Sequence, residues 1–144
     1  MSGLPGAGKD SFIKKHFPDL PVVSLDVLRE EMEVDPRDSK GNGQVVQAAK
    51  ERARVLLRAG KPFIWNGTNI TRSMRSQLID LFHTYKAAVK IVYVEASYAQ
   101  LKKQNRNREA VVPESAMERL IGKLEVPALW EADEVVYTLS FCSQ

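Results

Sequence analysis

The sequence predicts an α/β fold in which a parallel sheet is flanked by helices, and three observations lead to this prediction. Short apolar runs rich in β-branched residues alternate with segments of helical period, as in chains built from βα units. A glycine-rich turn opens the chain directly before one of the helical segments. The length of 144 residues, with 44% hydrophobic and 27% charged residues, suits a single domain over residues 1–144.

Four short runs dominated by apolar and β-branched residues are the predicted strands. A helical segment lies between each run and the next, which favours parallel pairing because parallel strands need a crossover connection. The four runs are Pro21–Leu25, Pro62–Trp65, Val89–Glu95 and Glu134–Leu139.

Helical period is clearest in residues 43–58 and 71–85, where apolar side chains recur every three or four positions. Gly60 marks the end of the first of these helices. The apolar positions of the two stripes are Val45, Val46, Ala49, Ala53, Leu56, Leu57, Met74, Leu78, Leu81, Phe82 and Tyr85.

Two further helices are predicted after residue 96. Ser97 with Gln100 forms a capping-box pattern, which opens the first of them. Pro113 suits the first position of the second helix. Residues 34–43 are polar and contain two glycines, so they are expected to form a loop or a partly ordered insert. The stripe of the last helix consists of Met117, Leu120, Ile121 and Leu124.

Composition excludes several classes of protein. No apolar run is long enough to span a bilayer, and no signal-peptide core follows Met1. The single cysteine, Cys142, cannot form an internal disulfide, which predicts a cytoplasmic location. One cysteine and two histidines do not support a zinc site.

Charge is unevenly distributed about the net value of +3. Residues 71–108 contain eight Lys or Arg and only Asp80 and Glu95, a net charge of +6. A basic middle suits a polyanionic ligand such as a nucleotide or a nucleic acid. A solvated basic face accounts for the same counts, so charge alone leaves both interpretations open.

The glycine-rich turn Gly-Leu-Pro-Gly-Ala-Gly-Lys-Asp matches the phosphate-binding P-loop pattern, with Asp in place of Ser or Thr. Glycines let successive backbone N–H groups wrap a phosphate, and the following helix adds its positive N-terminal end. The lysine reaches the β- and γ-phosphates as a mobile charge. The turn predicts binding of ATP or another nucleoside triphosphate with Mg²⁺. The cradle residues are Gly3, Pro5, Gly6, Ala7, Gly8, Lys9, Asp10 and Ser11.

Metal ligation at this loop has two candidate residues. Asp10 stands where the pattern normally supplies a hydroxyl, and a carboxylate is a good ligand for a hard cation. Ser11 supplies a hydroxyl one position later. The sequence leaves the choice between them open.

A P-loop normally follows a buried strand, but only Met1 and Ser2 precede Gly3. The predicted fold is a P-loop NTPase of the nucleoside-kinase-like type, and its first central strand is expected to be truncated at the N-terminus. The chain is expected to be a piece of a longer protein.

Polar residues follow two of the predicted strands at the edge where open α/β sheets bind ligands. Asp26 ends the first strand, and Arg29 lies one helical turn later on the same face. The pair suits a general base with a phosphate-binding partner, although Asp26 as a helix N-cap and Arg29 as a surface residue is the plainer interpretation. After the next strand, Asn66 or Thr68 are candidates to orient water, metal or nucleotide.

Two arginines, Arg106 and Arg108, precede Pro113 in a segment that resembles a lid over the phosphates, from about 105 to 113. A solvated helix end is the alternative. Asn69 and Thr71 are candidate helix caps. His16 and His83 have no nucleophile or metal context and are interpreted as structural or surface residues.

With these motifs in order, the sequence resembles the P-loop kinase domain of polynucleotide 5′-hydroxyl kinases, in particular the bacterial RNA-repair module fused to an HD phosphohydrolase domain. The resemblance runs from Gly3 to about Val136. It rests on residues 3–9, Asp26-x-x-Arg29, Asn66-Gly-Thr-Asn69 and the 105–113 lid.

The resemblance implies roles for individual residues. Lys9 would bind the donor's β- and γ-phosphates, and Asp26 would be the general base for a 5′-hydroxyl of RNA or DNA. Arg29 would hold the acceptor's 3′-phosphate, and Arg106 or Arg108 would clasp the donor phosphates. Asn66 stands where the phage enzyme has an acid, which gives it a supporting role. A phosphohydrolase domain would precede the chain in the full-length protein.

Two other functions remain open at this stage. A P-loop kinase acting on a small molecule or on aminoacyl-tRNA shares the cradle, the Asp and the lid. A non-catalytic module that holds nucleotide within a larger protein shares the cradle alone, because fold class does not determine activity. The sequence does not indicate which donor nucleotide is preferred or what the oligomeric state is.

Overall fold

The computed structural model describes residues 1–106 and 114–139, where helices and strands alternate as the sequence predicts. In chain order the elements are α1 (Lys9–His16), β1 (Val22–Ser24), α2 (Leu25–Glu31), α3 (Ser39–Arg58), β2 (Ile64–Asn66), α4 (Arg72–Thr84), β3 (Lys90–Glu95), α5 (Tyr98–Arg106), α6 (Glu114–Lys123) and β4 (Glu134–Leu139). They fall into two compact units, residues 1–18 with 68–144 and residues 19–67. The single domain over residues 1–144 stays a prediction.

In the first unit, β3 pairs with β4 in parallel, in a register that runs from Lys90 opposite Glu134 to Glu95 opposite Leu139. On the other side of β3, Ser2 forms a parallel bridge with Tyr93. Its N–H donates to the Val92 carbonyl at 2.8 Å, and its carbonyl accepts from Val94 N–H at 2.9 Å. The P-loop motif therefore begins directly after a residue that is hydrogen-bonded to the sheet.

The core of the first unit is formed by buried apolar residues, and two of them come from the start of the chain. Met117 is buried in this core, and the rest of the α6 stripe packs against it half-buried, as predicted. The buried members of the cluster are Leu4, Ala7, Ile70, Val92, Val94, Leu101 and Met117. Burial of these side chains fixes the back of the P-loop to β3 and α6.

In the second unit, β1 pairs with β2 in parallel, from Val22 opposite Ile64 to Ser24 opposite Asn66. The long helix α3 buries Val45, Ala49 and Ala53 completely, which confirms the predicted face of this helix. It ends as predicted, since Gly60 follows with φ of +65°. The α/β class with parallel strands and flanking helices is confirmed in both units.

Three details of the predicted elements are wrong. The predicted loop 34–43 is partly helical, because Asp38 caps α3 by accepting from Gly41 N–H at 3.0 Å and the helix begins at Ser39. The second strand is shifted toward the C-terminus and includes Asn66. The buried face of α4 contains Arg75, Ile79 and Phe82, whereas Met74 of the predicted stripe is 43% exposed.

The predicted capping box of α5 is confirmed. Gln100 N–H donates to Ser97 Oγ at 3.2 Å, and Ser97 N–H donates to Gln100 Oε1 at 3.1 Å. The predicted start of α6 at Pro113 lies outside the described residues, which resume at Glu114. In the described ranges 1–106 and 114–139, no helix has the length and apolar character needed to cross a bilayer.

Candidate active site

The P-loop turn adopts the backbone geometry that its glycines predict. Gly6 has φ of +83° and Gly8 has φ of +102°, values that residues with a Cβ atom rarely adopt. Gly8 is the N-cap of α1, and Phe12 N–H donates to its carbonyl at 3.0 Å. The predicted helix near Lys9 is therefore confirmed, and its N-terminus opens directly from the turn.

Glycine is required at position 3 for two reasons, the close approach of a neighbouring carbonyl and the positive φ of the residue. A Cβ at this position would lie 2.7 Å from the Val94 carbonyl oxygen, and the residue has φ of +155°. Its N–H donates to the Thr68 carbonyl at 2.9 Å. The turn is thus fixed on one side by β3 and on the other by the segment that starts at Thr68.

Lys9 is folded onto the turn that precedes it. Its Nζ donates to the Gly3 carbonyl at 2.6 Å and to the Leu4 carbonyl at 3.1 Å. The side chain is half-buried, at the first position of α1. The ammonium group therefore lies against two carbonyls of the loop, and an anion bound by the loop would replace these contacts.

The other cradle residues divide into two groups. Pro5 and Ala7 are buried, so the contribution of these two positions to a ligand is limited to their backbone. Asp10 and Ser11 are exposed in the first turn of α1, next to the positive end of the helix. Both present oxygen, the ligand type that Mg²⁺ prefers. Within the described part of the chain, no cluster of three or more His, Cys, Asp or Glu has metal-binding geometry.

Asp26 and Arg29 contact each other in the second unit. Arg29 Nη1 donates to Asp26 Oδ1 at 2.6 Å across one turn of α2. The Asp26 side chain is 61% exposed and the Arg29 side chain 28%. Ser24 is the N-cap of this helix and accepts from Val27 N–H, so the interpretation of Asp26 as the cap is wrong. The sequence correctly places the two side chains on one face.

A third member of this group was not predicted. Asn42, in the first turn of α3, accepts a hydrogen bond from Arg29 Nε at 2.7 Å. No sequence pattern indicates this contact, because residue 42 falls in the segment expected to be a loop. Only the helical start at Ser39 places the Asn42 side chain beside α2.

The segment after β2 has structural roles in the first unit. Thr71 is the N-cap of α4 and accepts from Met74 N–H at 3.2 Å. Asn69 has φ of +45°, and its Nδ2 donates to the Met1 carbonyl at 2.7 Å. Thr68 contributes its carbonyl to the P-loop contact with Gly3. Asn66 is buried at the end of β2, in the second unit.

A buried ion pair holds the backbone carbonyl of Asn69 in place. Arg75 donates to Glu131 through Nε at 2.8 Å and through Nη2 at 3.2 Å, and both side chains are only 3% exposed. Arg75 Nη1 donates to the Asn69 carbonyl at 2.9 Å, and that carbonyl also accepts from Ser2 Oγ. This network was not predicted from the sequence, although Arg75 precedes Ile79 and Phe82 at helical spacing on α4.

The electrostatics of Glu131 follow from this pairing. Burial alone would raise the pKa of its carboxyl, but hydrogen bonds from Arg75 and the Ala128 N–H outweigh burial and lower the pKa. Glu131 is therefore an anion at neutral pH, and its negative charge neutralises the buried positive charge of Arg75.

The predicted lid is described only at its N-terminal end, residues 105–106. Arg106 is the last residue of α5, and Arg108 lies outside the described residues with 107–113. Lys102 joins the two flanking helices, since its Nζ lies 2.8 Å from Glu114 Oε1 and 4.7 Å from the Tyr98 ring centre. The hydrogen bonds with Glu114 and Tyr98 raise the pKa of Lys102.

A family model described as an AAA domain matches residues 1–127. This match contains the P-loop, Asp26, Arg29 and both ends of the predicted lid. Only the last 17 of the 144 residues, from 128 onward, lie beyond it.

Three solved structures share the fold at low sequence identity. An unliganded sugar kinase from Janibacter sp. HTCC2649 aligns at 17% identity and a TM-score of 0.65, over 94% of this chain and 82% of that one. A candidate kinase from Chloroflexus aurantiacus j-10-fl aligns at 16% identity and a TM-score of 0.72, over 96% and 84%. Kti12 from Chaetomium thermophilum, in complex with ADP–AlF3, aligns at 15% identity and a TM-score of 0.63, over 94% and 85%. The fold is that of P-loop NTPases and resembles P-loop kinases.

Proposed function

The chain belongs to the AAA-domain family, and from this premise we propose that it is an ATP-dependent kinase that phosphorylates the 5′-hydroxyl end of RNA or DNA. The observation that carries the proposal is the Asp26–Arg29 pair, which directly follows β1 with its carboxylate exposed. A carboxylate held beside a guanidinium provides both a proton acceptor and a phosphate ligand. We also propose that the protein is located in the reducing cytoplasm, as its single cysteine predicts.

The donor side is assigned to the P-loop. The positive φ values of Gly6 and Gly8, with Lys9 held over the loop carbonyls, fit a nucleoside triphosphate. On binding, Lys9 would exchange its contacts with Gly3 and Leu4 for the β- and γ-phosphate oxygens. The N-terminus of α1 adds a favourable potential for the same anion.

Magnesium fits the residues at the start of α1. Asp10 and Ser11 are exposed there and offer the hard oxygen ligands that Mg²⁺ requires. When bound, the ion would neutralise part of the phosphate charge that develops during transfer. The remaining ligands would come from the phosphates and water.

The acceptor side is assigned to the second unit. Asp26 would accept the proton of the 5′-hydroxyl while the oxygen forms a bond to the γ-phosphorus. The bond between that phosphorus and the β–γ bridging oxygen breaks, and the products are ADP and a 5′-phosphate end. Arg29 would bind the phosphate 3′ to the reacting nucleoside. Arg106 or Arg108 would clasp the donor phosphates, a role that remains a prediction.

A kinase acting on a small molecule is the second candidate, and the fold shared with a sugar kinase favours it. Such an enzyme would use the same donor loop. It would gain nothing from a phosphate beside the reacting hydroxyl, so the acceptor separates the two candidates.

The experiment is transfer from γ-labelled ATP to a panel of acceptors. We expect 5′-hydroxyl oligonucleotides and 3′-phosphorylated nucleosides to be labelled, with plain nucleosides labelled at a higher KM. Labelling of sugars in place of oligonucleotides would support the second candidate. Nucleotide binding without transfer to any member of the panel would identify a non-catalytic module.

A further inference from the structure

We propose that Asn42 is a positioning residue for Arg29 and sets the affinity for the phosphate that Arg29 binds. This inference rests on the proposed function of Arg29 in acceptor recognition. Asn42 would not touch the acceptor; it acts by holding the guanidinium group in one orientation.

The contact joins two helices of the second unit. Asn42 Oδ1 accepts from Arg29 Nε at 2.7 Å, a short distance for a charge-assisted bond between an amide oxygen and a guanidinium. Arg29 Nη1 is held separately by Asp26 at 2.6 Å. Two of the three guanidinium nitrogens therefore have fixed partners on different elements.

The orientation of the Asn42 amide follows from its other contacts. Its Nδ2 donates to the Pro36 carbonyl and to the Asp38 carbonyl, both at 2.9 Å. A flipped amide would place oxygen against two carbonyl oxygens and would direct an N–H group at the N–H of Arg29. Oδ1 must therefore face Arg29.

The turn that carries Asn42 is itself fixed. Asp38 Oδ1 accepts from Gly41 N–H at 3.0 Å, and Gly41 is packed so closely that a Cβ would lie 2.7 Å from both Asp38 and Val34. Val34 N–H in turn donates to the Arg29 carbonyl at 2.9 Å. Both the backbone of Arg29 and the partner of its side chain are thus anchored to the same short segment.

The consequence is a preorganised cation. Arginine has a long flexible side chain, and ordering it on binding would weaken the affinity for a phosphate. The contacts with Asn42 and Asp26 leave Nη2 unused, so the guanidinium can keep both partners while Nη2 donates to a phosphate oxygen. The loss of Asn42 would cost affinity only through Arg29.

A double-mutant cycle tests this dependence. We expect Asn42→Ala to raise KM for a 3′-phosphorylated nucleoside about tenfold, with kcat changed less than about twofold, since the variant loses one charge-assisted bond that orients the Arg29 guanidinium. KM for a plain nucleoside should change far less. In an Arg29→Ala background, Asn42→Ala should have no further effect. Gln47→Ala, an exposed amide on the same helix, is the matched control.

Equal KM increases for the two acceptors would contradict the proposal, as would a full Asn42 effect in the Arg29→Ala background. Either result would mean that Asn42 supports the 36–38 turn and not Arg29. Melting temperatures of the variants show whether that turn is damaged.

A second readout does not depend on transfer. Hydrogen exchange of the Arg29 Nε–H, followed by NMR, should be slow in the wild type and at least about tenfold faster in Asn42→Ala, because the acceptor is lost. Gln47→Ala leaves the Asn42 acceptor in place and should keep exchange slow. Equal exchange in wild type and Asn42→Ala would overturn the positioning role. Slow exchange with no transfer to any acceptor would overturn only the proposed function.

Discussion

At the scale of single residues, the site depends on where the Lys9 ammonium lies. Its bonds to the Gly3 and Leu4 carbonyls keep the charge on the loop. Gly3 holds the loop against β3, because its missing side chain admits the Val94 carbonyl. Residue identity and spacing were sufficient to predict this loop, since only glycine allows its backbone geometry.

We expect Lys9→Ala to lower the rate of phosphate transfer by at least about 100-fold, because a positioned charge of this kind typically contributes about 3 kcal/mol or more to transition-state stabilisation. The measurement is the initial rate with γ-labelled ATP. Lys14→Ala, an exposed lysine in the last turn of the same helix, should retain wild-type activity. A Lys9→Ala enzyme with normal turnover would remove the assignment of the loop.

At the scale of elements, the sequence predicts best what local patterns determine. The span of β4, the capping box of α5 and the end of α3 at Gly60 follow from local sequence and agree with the structure. The start of α3 was missed because it depends on contacts of Asp38 and Gly41. A polar segment that contains glycines resembles a loop, and its sequence does not reveal these contacts. Arg75 was missed because its buried position depends on a partner 56 residues away.

The Arg75–Glu131 pair gives a stability prediction with a definite pH range. The pKa of Glu131 is lowered in the folded state from an ordinary value of 4.5, so its contribution is complete above that pH and is lost as pH falls through the folded pKa. We expect Glu131→Gln to lower the free energy of unfolding by about 3 kcal/mol at pH 7, since it leaves a buried guanidinium uncompensated.

The measurement is denaturant unfolding of wild type and Glu131→Gln between pH 7 and pH 3. The difference between the two proteins should begin to shrink below about pH 4.5, where the Glu131 carboxylate of the unfolded chain takes up a proton. It should be lost as pH falls through the lower pKa of the folded state. Glu30→Gln, an exposed carboxylate on α2, should have little effect at any pH. A difference that stays constant to pH 3 would show that charge pairing does not stabilise this part of the fold.

At the scale of the whole molecule, the groups that we propose for donor and acceptor belong to different compact units. The P-loop lies in the unit formed by residues 1–18 and 68–144, and Asp26, Arg29 and Asn42 lie in residues 19–67. The sequence was sufficient for the P-loop fold, and the roles of the candidate residues in both units stay predictions. The sequence did not reveal Asn42 or the buried network behind Asn69, because side-chain contacts between distant segments leave no periodic pattern.

The central claim, that Asp26 serves a 5′-hydroxyl acceptor, is tested most directly by transfer from γ-labelled ATP to a 5′-hydroxyl oligonucleotide. The comparison is between wild type, Asp26→Asn and the control Glu30→Gln, one helical turn further along α2. We expect Asp26→Asn to lower kcat on the order of 100-fold or more, because asparagine keeps the size of the side chain but cannot take the proton. Glu30→Gln should transfer normally, and ATP should bind all three proteins equally. Wild-type turnover in Asp26→Asn, or weakened ATP binding in that variant, would contradict the assignment of Asp26 to the acceptor.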